Sequence, residues 1–405
     1  TGSGGFRSGV ADMQGWRNNH EDAHEMVAED GFGTFWVLDG HGGDGASIFC
    51  APKLAEAHRR FLAETPRELP NDEQIDRAFL EVDYDYLVHT KTRGPEGSLP
   101  QAAGTTVVGS AIVKREDGTY SVKIMNAGDS RGLVIAAPDE QESSLPNIRR
   151  SRPTEIQEDL PEWPLLMESI DHKPDRDIEK ARIIAAGGIV SGDDPPRLDG
   201  NLAVSRGMGD FEYKTEPKCA TQPRADDKMS CMPEVYEVHG LREGSIVVLA
   251  CDGLWDVLKN HEVAVLVRDR LKADPRADLG VMSAQLVRKA LERNSRDNIT
   301  CMIVQMTDGS DWSKQSNRFN DSEEMMYFDK LVTRGEPMED EHRKHWDDFL
   351  RKCNFPVLPV QCSSSGRWFR SMWTCPGTGK VYMNRHCQKK GWAAQKKVVA
   401  NKASP

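Results

Sequence analysis

Two places in the chain share one pattern. Phe35-Trp-Val-Leu-Asp39-Gly40 and Val247-Val-Leu-Ala-Cys-Asp252-Gly253 each run a strand-sized apolar stretch into an aspartate followed by a glycine. A strand end is a rigid mount for a carboxylate, and glycine lets the backbone carbonyl come close to a ligand. Hard divalent cations take several oxygen ligands, carboxylates and carbonyls among them. The chemistry on offer is therefore cation binding. A lone Asp-Gly is most often a turn, and others stand at Asp30, Asp117, Asp199 and Asp308. The companion acids shift the balance. Arg17 is followed by Glu21 and Asp22, Asp129 sits in Asn126-Ala-Gly-Asp-Ser-Arg131, and Asp297 stands between Arg296 and Asn298. Arginine suits bidentate contact with phosphate, although Arg17-x-x-x-Glu21-Asp22 taken alone reads as a solvated loop. His41 lies among Gly40, Gly42 and Gly43, which leaves it unpacked and open to three roles: metal ligand, proton donor or surface residue.

The elements that must position these groups are legible in part. Phe35–Leu38 and Ile246–Cys251 read as buried strands. Val107–Val113 and Tyr120–Met125 flank Asp117-Gly118 as a hairpin. The spacing predicts helices over 46–62 and 71–87. In the second, Asn71 caps and Ile75, Phe79, Val82 and Tyr86 share one face. A short helix over 177–186 stops at Gly187-Gly188, two amphipathic helices cover 262–271 and 278–292, and a last strand runs over 298–306. Hairpins with helices in separate blocks favour an α+β fold with antiparallel sheets. Residues 1–9 read as a flexible leader, 10–306 as the main domain and 138–170 as an irregular insertion.

The chain has 405 residues, 29% of them charged, and no apolar run approaches the ~18 residues of a membrane span. Nine cysteines are scattered without a Cys-x-x-Cys pair, so reduced thiols in a cytoplasmic or nuclear protein are expected. Net charge is −11, but residues 351–405 carry +11 and the remainder −22. An acidic body is unsuited to gripping nucleic acid.

In their order along the chain these segments resemble the metal-dependent PPM/PP2C family of protein serine/threonine phosphatases. The pieces are Met13-Gln-Gly-Trp-Arg17-x-x-x-Glu21-Asp22, Asp39-Gly-His-Gly-Gly43, Gly104-Thr-Thr106, Gly128-Asp-Ser-Arg131, Asp171-His-Lys-Pro174, Leu202-Ala-Val-Ser-Arg-Gly-Met-Gly-Asp210, Asp252-Gly-Leu-Trp-Asp256 and Arg296-Asp-Asn298. Each is weak alone; the ordered set is specific. The resemblance implies a β-sandwich of two antiparallel sheets flanked by helices, with a cleft at one end. It implies that Asp39 bridges two Mg2+ or Mn2+ ions, that Asp252 and Asp297 complete one, and that Glu21 and the Gly40 carbonyl hold the other. Asp129 with Asp252 would take a weaker third ion, with Asp256 beside them. Asp22 would orient the attacking water, which bridges the two ions. Arg17 would clamp the phosphate, and His41 would protonate the leaving alkoxide. Phosphoserine and phosphothreonine proteins are the implied substrates, and a monomer is expected. Two departures bear on specificity: Ser169-Ile170 precedes Asp171 where the family often has Leu-Thr, and residues 138–170 are long. Residues 187–201 fall in the flap that tunes substrate choice.

The extension over 307–405 matches no motif. Asp308–Asn320 reads as a linker, Asp321–Arg351 as a charged helix, and Arg367–Trp373 with Lys380–Arg385 as a small hairpin. Its basic and aromatic residues, Arg367, Trp368, Phe369, Arg370, Trp373, Tyr382 and Trp392, fit nucleic acid or an acidic membrane surface less well than docking on the acidic body. Cys362, Cys375, Cys387 and His386 lack the paired spacing of a zinc site. Three functions remain to compare: an active phosphatase, a phosphoprotein-binding scaffold with little turnover, and a two-metal nuclease. The intact acids favour the first over the second, and the acidic body disfavours the third.

Overall fold

The computed structural model describes residues 2–3, 5–65, 67–93, 103–153, 161–222 and 225–307, and four short strands beyond. Two six-stranded antiparallel sheets form its centre. The first runs Gly2–Ser3, Phe6–Met13, Ile299–Met306, Ile246–Ala250, Arg131–Ile135, Leu165–Glu168. The second runs Arg149–Ser151, Glu234–Leu241, Tyr120–Ala127, Val107–Lys114, Phe32–Leu38, Ala23–Glu29.

Strand alternation explains the layering. Val247 and Leu249 point into the space between the sheets, where they meet Phe35, Val108, Ile124 and Met302. Ile246, Val248 and Ala250 point the other way, onto Val263, Val267 and Val287 of the helices Asn260–Ala273 and Leu279–Glu292. The second sheet does the same. Its Trp36, Val107 and Met125 pack on Leu54 and Phe79 of the helices Gly45–Glu64 and Asp72–Arg93. Strands covered on both faces read as continuous apolar runs, because neither face must be polar. The result is the expected α+β sandwich with four layers.

Helix ends follow local chemistry. Asn71 Oδ1 accepts from the Gln74 N–H, and Gln74 Oε1 accepts from the Asn71 N–H, both at 2.9 Å: a reciprocal capping box. Ile75, Phe79, Val82 and Tyr86 are all buried. Asp278 caps Leu279–Glu292 by accepting from the Val281 N–H at 3.0 Å. Asp177–Ala185 ends where the Gly188 N–H reaches back to the Ile183 carbonyl at 2.8 Å. Among the described residues no helix is long and apolar enough to cross a membrane. Cys50, Cys219, Cys251 and Cys301 are free thiols.

Two expectations are corrected. Residues 6–9 are not a flexible leader: they open the strand Phe6–Met13, which pairs along its whole length with Ile299–Met306. Phe6 is 1% exposed. The polar text hid this strand because the Arg7 guanidinium is spent on Gln305 Oε1, at 2.6 Å from Nη2. Gly9 is there because the helix backbone at Gly280 leaves no room for a Cβ. Nor is 138–170 wholly irregular. It supplies one edge strand to each sheet, Arg149–Ser151 and Leu165–Glu168, too short to show a periodicity in sequence. In the flap region, Val190–Ser191 and Arg197–Leu198 pair as a small hairpin.

Past Thr307, Trp373–Thr374 pairs with Val381–Tyr382, whereas Trp368–Phe369 pairs with Val360–Gln361 rather than within the expected hairpin. The expected 308–320 linker, the 321–351 helix, the docking of the basic extension and the Cys362, Cys375, Cys387 and His386 group lie outside the described residues.

Candidate active site

The chain crosses one end of the sandwich repeatedly, and most crossings leave an acid there. Asp39 follows Phe32–Leu38, Asp252 follows Ile246–Ala250, Asp129 follows Tyr120–Ala127, and Asp297 precedes Ile299–Met306. Glu21 and Asp22 close the loop before Ala23–Glu29. A cleft of about 520 Å³ opens at this end, lined by Arg17, Glu21, Asp39, Gly40, His41, Asp129, Asp252 and Asp297. Flap residues Arg197 and Asn201, with the adjoining Leu202, form part of its wall. Asp22 lies behind it, buried, with Oδ2 accepting from Thr300 Oγ1 at 2.6 Å. One carboxylate oxygen each of Asp22 and Asp39 lies within 4.8 Å of the other and of Cys251 Sγ. Asp256 instead lines a neighbouring groove with Arg131 and Trp255.

The two Asp-Gly pairs at the cleft are not turns. Gly45 after Asp44 opens a helix, whereas Gly31, Gly118 and Gly200, which follow Asp30, Asp117 and Asp199, have positive φ (84°, 82° and 77°). Gly40 and Gly253 do not appear in that conformation; each is instead pressed against backbone. A Cβ at Gly40 would strike the Glu21 carbonyl, and one at Gly253 would strike the Asn298 carbonyl. These glycines bring strand ends together, which is why the acids converge.

Asn298 fastens the loop that carries Arg17 and Glu21. Its Oδ1 accepts from the Glu21 N–H at 2.9 Å, and its Nδ2 donates to the carbonyls of Gln14 and Asn19 at 2.7 and 3.0 Å. Thr106 holds Asp39 by a backbone pair: the Thr106 N–H donates to the Asp39 carbonyl at 2.9 Å.

Crowded acids resist ionisation. Burial, then Asp252, Asp22, Asp129 and Asp297, push Asp39 well above the usual carboxylate range. Burial, then Asp129 and Asp297, do the same to Asp252. Asp22 is pushed up to about 6, chiefly by burial, with the Thr300 hydrogen bond opposing. Asp22 Oδ1 is buried without a hydrogen-bond partner among the described residues. A cluster of repelling carboxylates and an orphaned buried oxygen fit hard divalent cations, which would relieve both.

Three basic side chains enter the acid set. Arg17 donates to the Asp297 carboxylate. Lys173 Nζ donates to Asp129 Oδ2 at 2.5 Å; burial disfavours its charge, but Asp129 overrides this and holds it as an ammonium. His41 Nε2 sits 2.7 Å from Asp210 Oδ2. Burial lowers the His41 pKa and Asp210 raises it, and the carboxylate wins. The Cys251 thiol is pushed far up by burial, so it is no nucleophile.

Beneath the cleft a buried ionic group ties the flap side to the sandwich. Glu179 accepts from Arg206 Nη2 and Arg182 Nη2, both at 2.6 Å, and from Ser205 Oγ at 2.7 Å. Glu234 takes Arg176 at 2.9 Å and His172 Nε2 at 3.2 Å. The sequence reading gave no part to Asp210, Lys173, Asn298 or Thr106. All four lie in segments that carry the resemblance, but nothing in their spacing says which acid or loop each would meet.

The architecture and the site together define a class: an α-β-β-α sandwich with an acid-lined catalytic cleft at one end. Residues 6–299 match the Protein phosphatase 2C family. A probable protein phosphatase 2C of Caenorhabditis elegans is 32% identical over 314 residues, 74% of each chain. Human protein phosphatase 1A is 31% identical over 312 residues, 74% of this chain and 70% of that protein. A crystal structure of a phosphatase from Toxoplasma gondii superposes with a TM-score of 0.58 at 25% identity, covering 75% of this chain and 94% of that one. The chain belongs to the protein phosphatase 2C family and is by that membership a protein serine/threonine phosphatase.

Proposed function

We propose that this cleft hydrolyses phosphoserine and phosphothreonine monoesters on protein substrates with two bound Mg2+ or Mn2+ ions. The observation that carries the reading is the convergence of Glu21, Asp39, Asp252 and Asp297 beside Arg17 in one cleft. Asp39, central to the set, would serve both ions, with Asp252 and Asp297 on one side and Glu21 and the Gly40 carbonyl on the other. Asp129 with Asp252 would take a weaker third. When bound, the ions activate a water for in-line attack and present positive charge to a dianion that this acidic protein would otherwise repel. Arg17 offers a planar pair of donors to the phosphate oxygens. Asp22, fixed by Thr300 behind the cleft, orients the water. His41 hands a proton to the departing serine or threonine oxygen. Positioning and electrostatics carry this chemistry, so no cysteine nucleophile is called for.

Phosphate release from a phosphothreonine peptide tests the reading. Turnover with Mn2+ or Mg2+, abolished by EDTA and by Asp39→Asn, is expected. Turnover that persists in EDTA would overturn it. Binding of phosphoprotein without turnover in saturating Mn2+ would instead support the scaffold.

A further inference from the structure

The His41 ring has a partner outside the acid set. Gly40–His41, Gly104–Thr105 and Met208–Gly209 form a three-stranded sheet with the Gly104 strand in the middle. Its register sets His41 opposite Gly104 and Gly104 opposite Gly209. The residue after Gly209 is Asp210, and its Oδ2 lies 2.7 Å from His41 Nε2. The two side chains meet over Gly104, where a Cβ would collide with both Asp210 Oδ2 and His41 Nε2. The Asp210 side chain is 2% exposed and that of His41 30%.

This contact is built at a cost. Asp210 adopts φ 51° and ψ 43°, the left-handed region that a residue with a Cβ enters at a cost of roughly 1–2 kcal/mol. The surroundings enforce it. The Gly209 N–H donates to Asp83 Oδ1 at 2.8 Å, and Lys214 Nζ donates to the same oxygen at 3.0 Å in a fully buried ion pair. Lys214 also donates to the Gly207 carbonyl at 2.8 Å. The Asp210 carbonyl accepts from the Tyr213 N–H at 3.0 Å. A strained acid, pinned from three sides and aimed at one ring nitrogen, is a positioning device.

We propose that Asp210 is the positioning residue for His41, gripping Nε2 so that Nδ1 is the ring nitrogen left to serve the leaving group. The inference rests on the phosphatase reading above. In that reaction the water oxygen bonds to phosphorus as the bond to the seryl or threonyl oxygen breaks. The electron pair of that bond goes to the leaving oxygen, and a proton from His41 completes the hydroxyl. The proton released by the attacking water restores the ring through solvent. An ester whose leaving group departs as a stable phenolate needs no such proton. Asp210 therefore matters for alkyl phosphates and much less for aryl phosphates.

The test compares kcat on a phosphothreonine peptide and on p-nitrophenyl phosphate, with Mn2+, for the full chain, Asp210→Asn, Asp210→Gly, His41→Ala and His41→Ala/Asp210→Asn. Asn and Gly both tolerate the left-handed backbone, and a melting curve verifies each fold. Loss of the anchored carboxylate is expected to lower peptide kcat about 100-fold, within the range for general acid catalysis, and aryl phosphate kcat at least tenfold less. KM should hold. The double variant should be no worse on peptide than His41→Ala, because the two residues act as one unit. Additive losses in the double variant, or equal losses on both substrates, overturn the proposal. A full chain inactive on both substrates overturns the phosphatase reading itself, before any variant is compared.

Discussion

Lys173 sets its ammonium 2.5 Å from the carboxylate of Asp129, on the side of the cleft where a weaker third ion would sit. Ammonium and divalent cation compete for the same oxygen. Lys173→Met removes the competitor, and a unit charge this close to a buried acid is worth at least a tenfold change in affinity. The weakest Mn2+ step, read by calorimetry, should tighten by about tenfold in the variant. An unchanged isotherm would show that the two charges do not compete.

Burial and neighbouring carboxylates oppose the ionisation of Asp39 and Asp252, so ionising them costs stability when no cation is bound. Their folded pKa lies above the unfolded one, so the cost grows as pH rises past the ordinary carboxylate range. Asp39→Asn should abolish turnover and yet raise the melting temperature in EDTA at pH 7. A lower melting temperature would mean that Asp39 is held by contacts other than these repulsions.

Cations should stabilise for the same reason. A ligand at 100 times its dissociation constant contributes about 2.7 kcal/mol. For a domain this large that is roughly a 5 °C rise in melting temperature. Thermal melts with Mg2+ should show it and EDTA should reverse it; Asp252→Asn should show much less.

His58 makes stability depend on pH separately from the cleft acids. It is fully buried, its ring centroid 4.7 Å from that of Trp36, and Nδ1 donates to the Leu54 carbonyl at 2.9 Å. Burial pushes its pKa down to about 4. Below the unfolded value of about 6.5 the unfolded chain takes up a proton that the folded chain refuses, so stability is full above that pH and is lost as pH falls towards 4. The loss is up to about 3 kcal/mol. Urea unfolding from pH 7 to 4.5 should be flatter for His58→Leu than for the parent chain; parallel curves would remove His58 as the cause.

Glu179 is held firmly as a carboxylate. It is buried, and although burial alone would raise its pKa, the Arg206 and Arg182 guanidinium groups hold it far below the ordinary range. Glu179→Gln leaves two arginines under the flap short of a counter-charge. A loss of about 3–5 kcal/mol is expected by urea unfolding. A loss under 1 kcal/mol would mean that solvent reaches the pair.

The site acids were visible because chemistry restricts which residues can do this work. Asp39 and Asp252 end apolar runs, and Glu21, Asp22, Asp129 and Asp297 sit in segments whose order resembles one family. Other features were not visible, each for a physical reason. The strand Phe6–Met13 is written in polar letters because Arg7 finds Gln305 across the sheet and Gly9 meets a helix backbone. The edge strands Arg149–Ser151 and Leu165–Glu168 are shorter than a period-two pattern needs. The same two letters, Asp-Gly, make a left-handed turn at Gly118 and a close strand approach at Gly40, and only the neighbouring backbone distinguishes them.

Spacing and residue type by themselves marked the two strand-end aspartates, the strands that carry them and the kind of ligand they suit, because these are properties of local chain and side-chain chemistry; the rest of the donor set was implied by the resemblance of the ordered segments to one family. Which groups meet was decided only in three dimensions. Asp210 is 169 residues from His41 in the chain, and Arg17 is 280 from Asp297. Pairings at such separations depend on how two sheets pack and where a glycine lets them touch, and no local pattern encodes that.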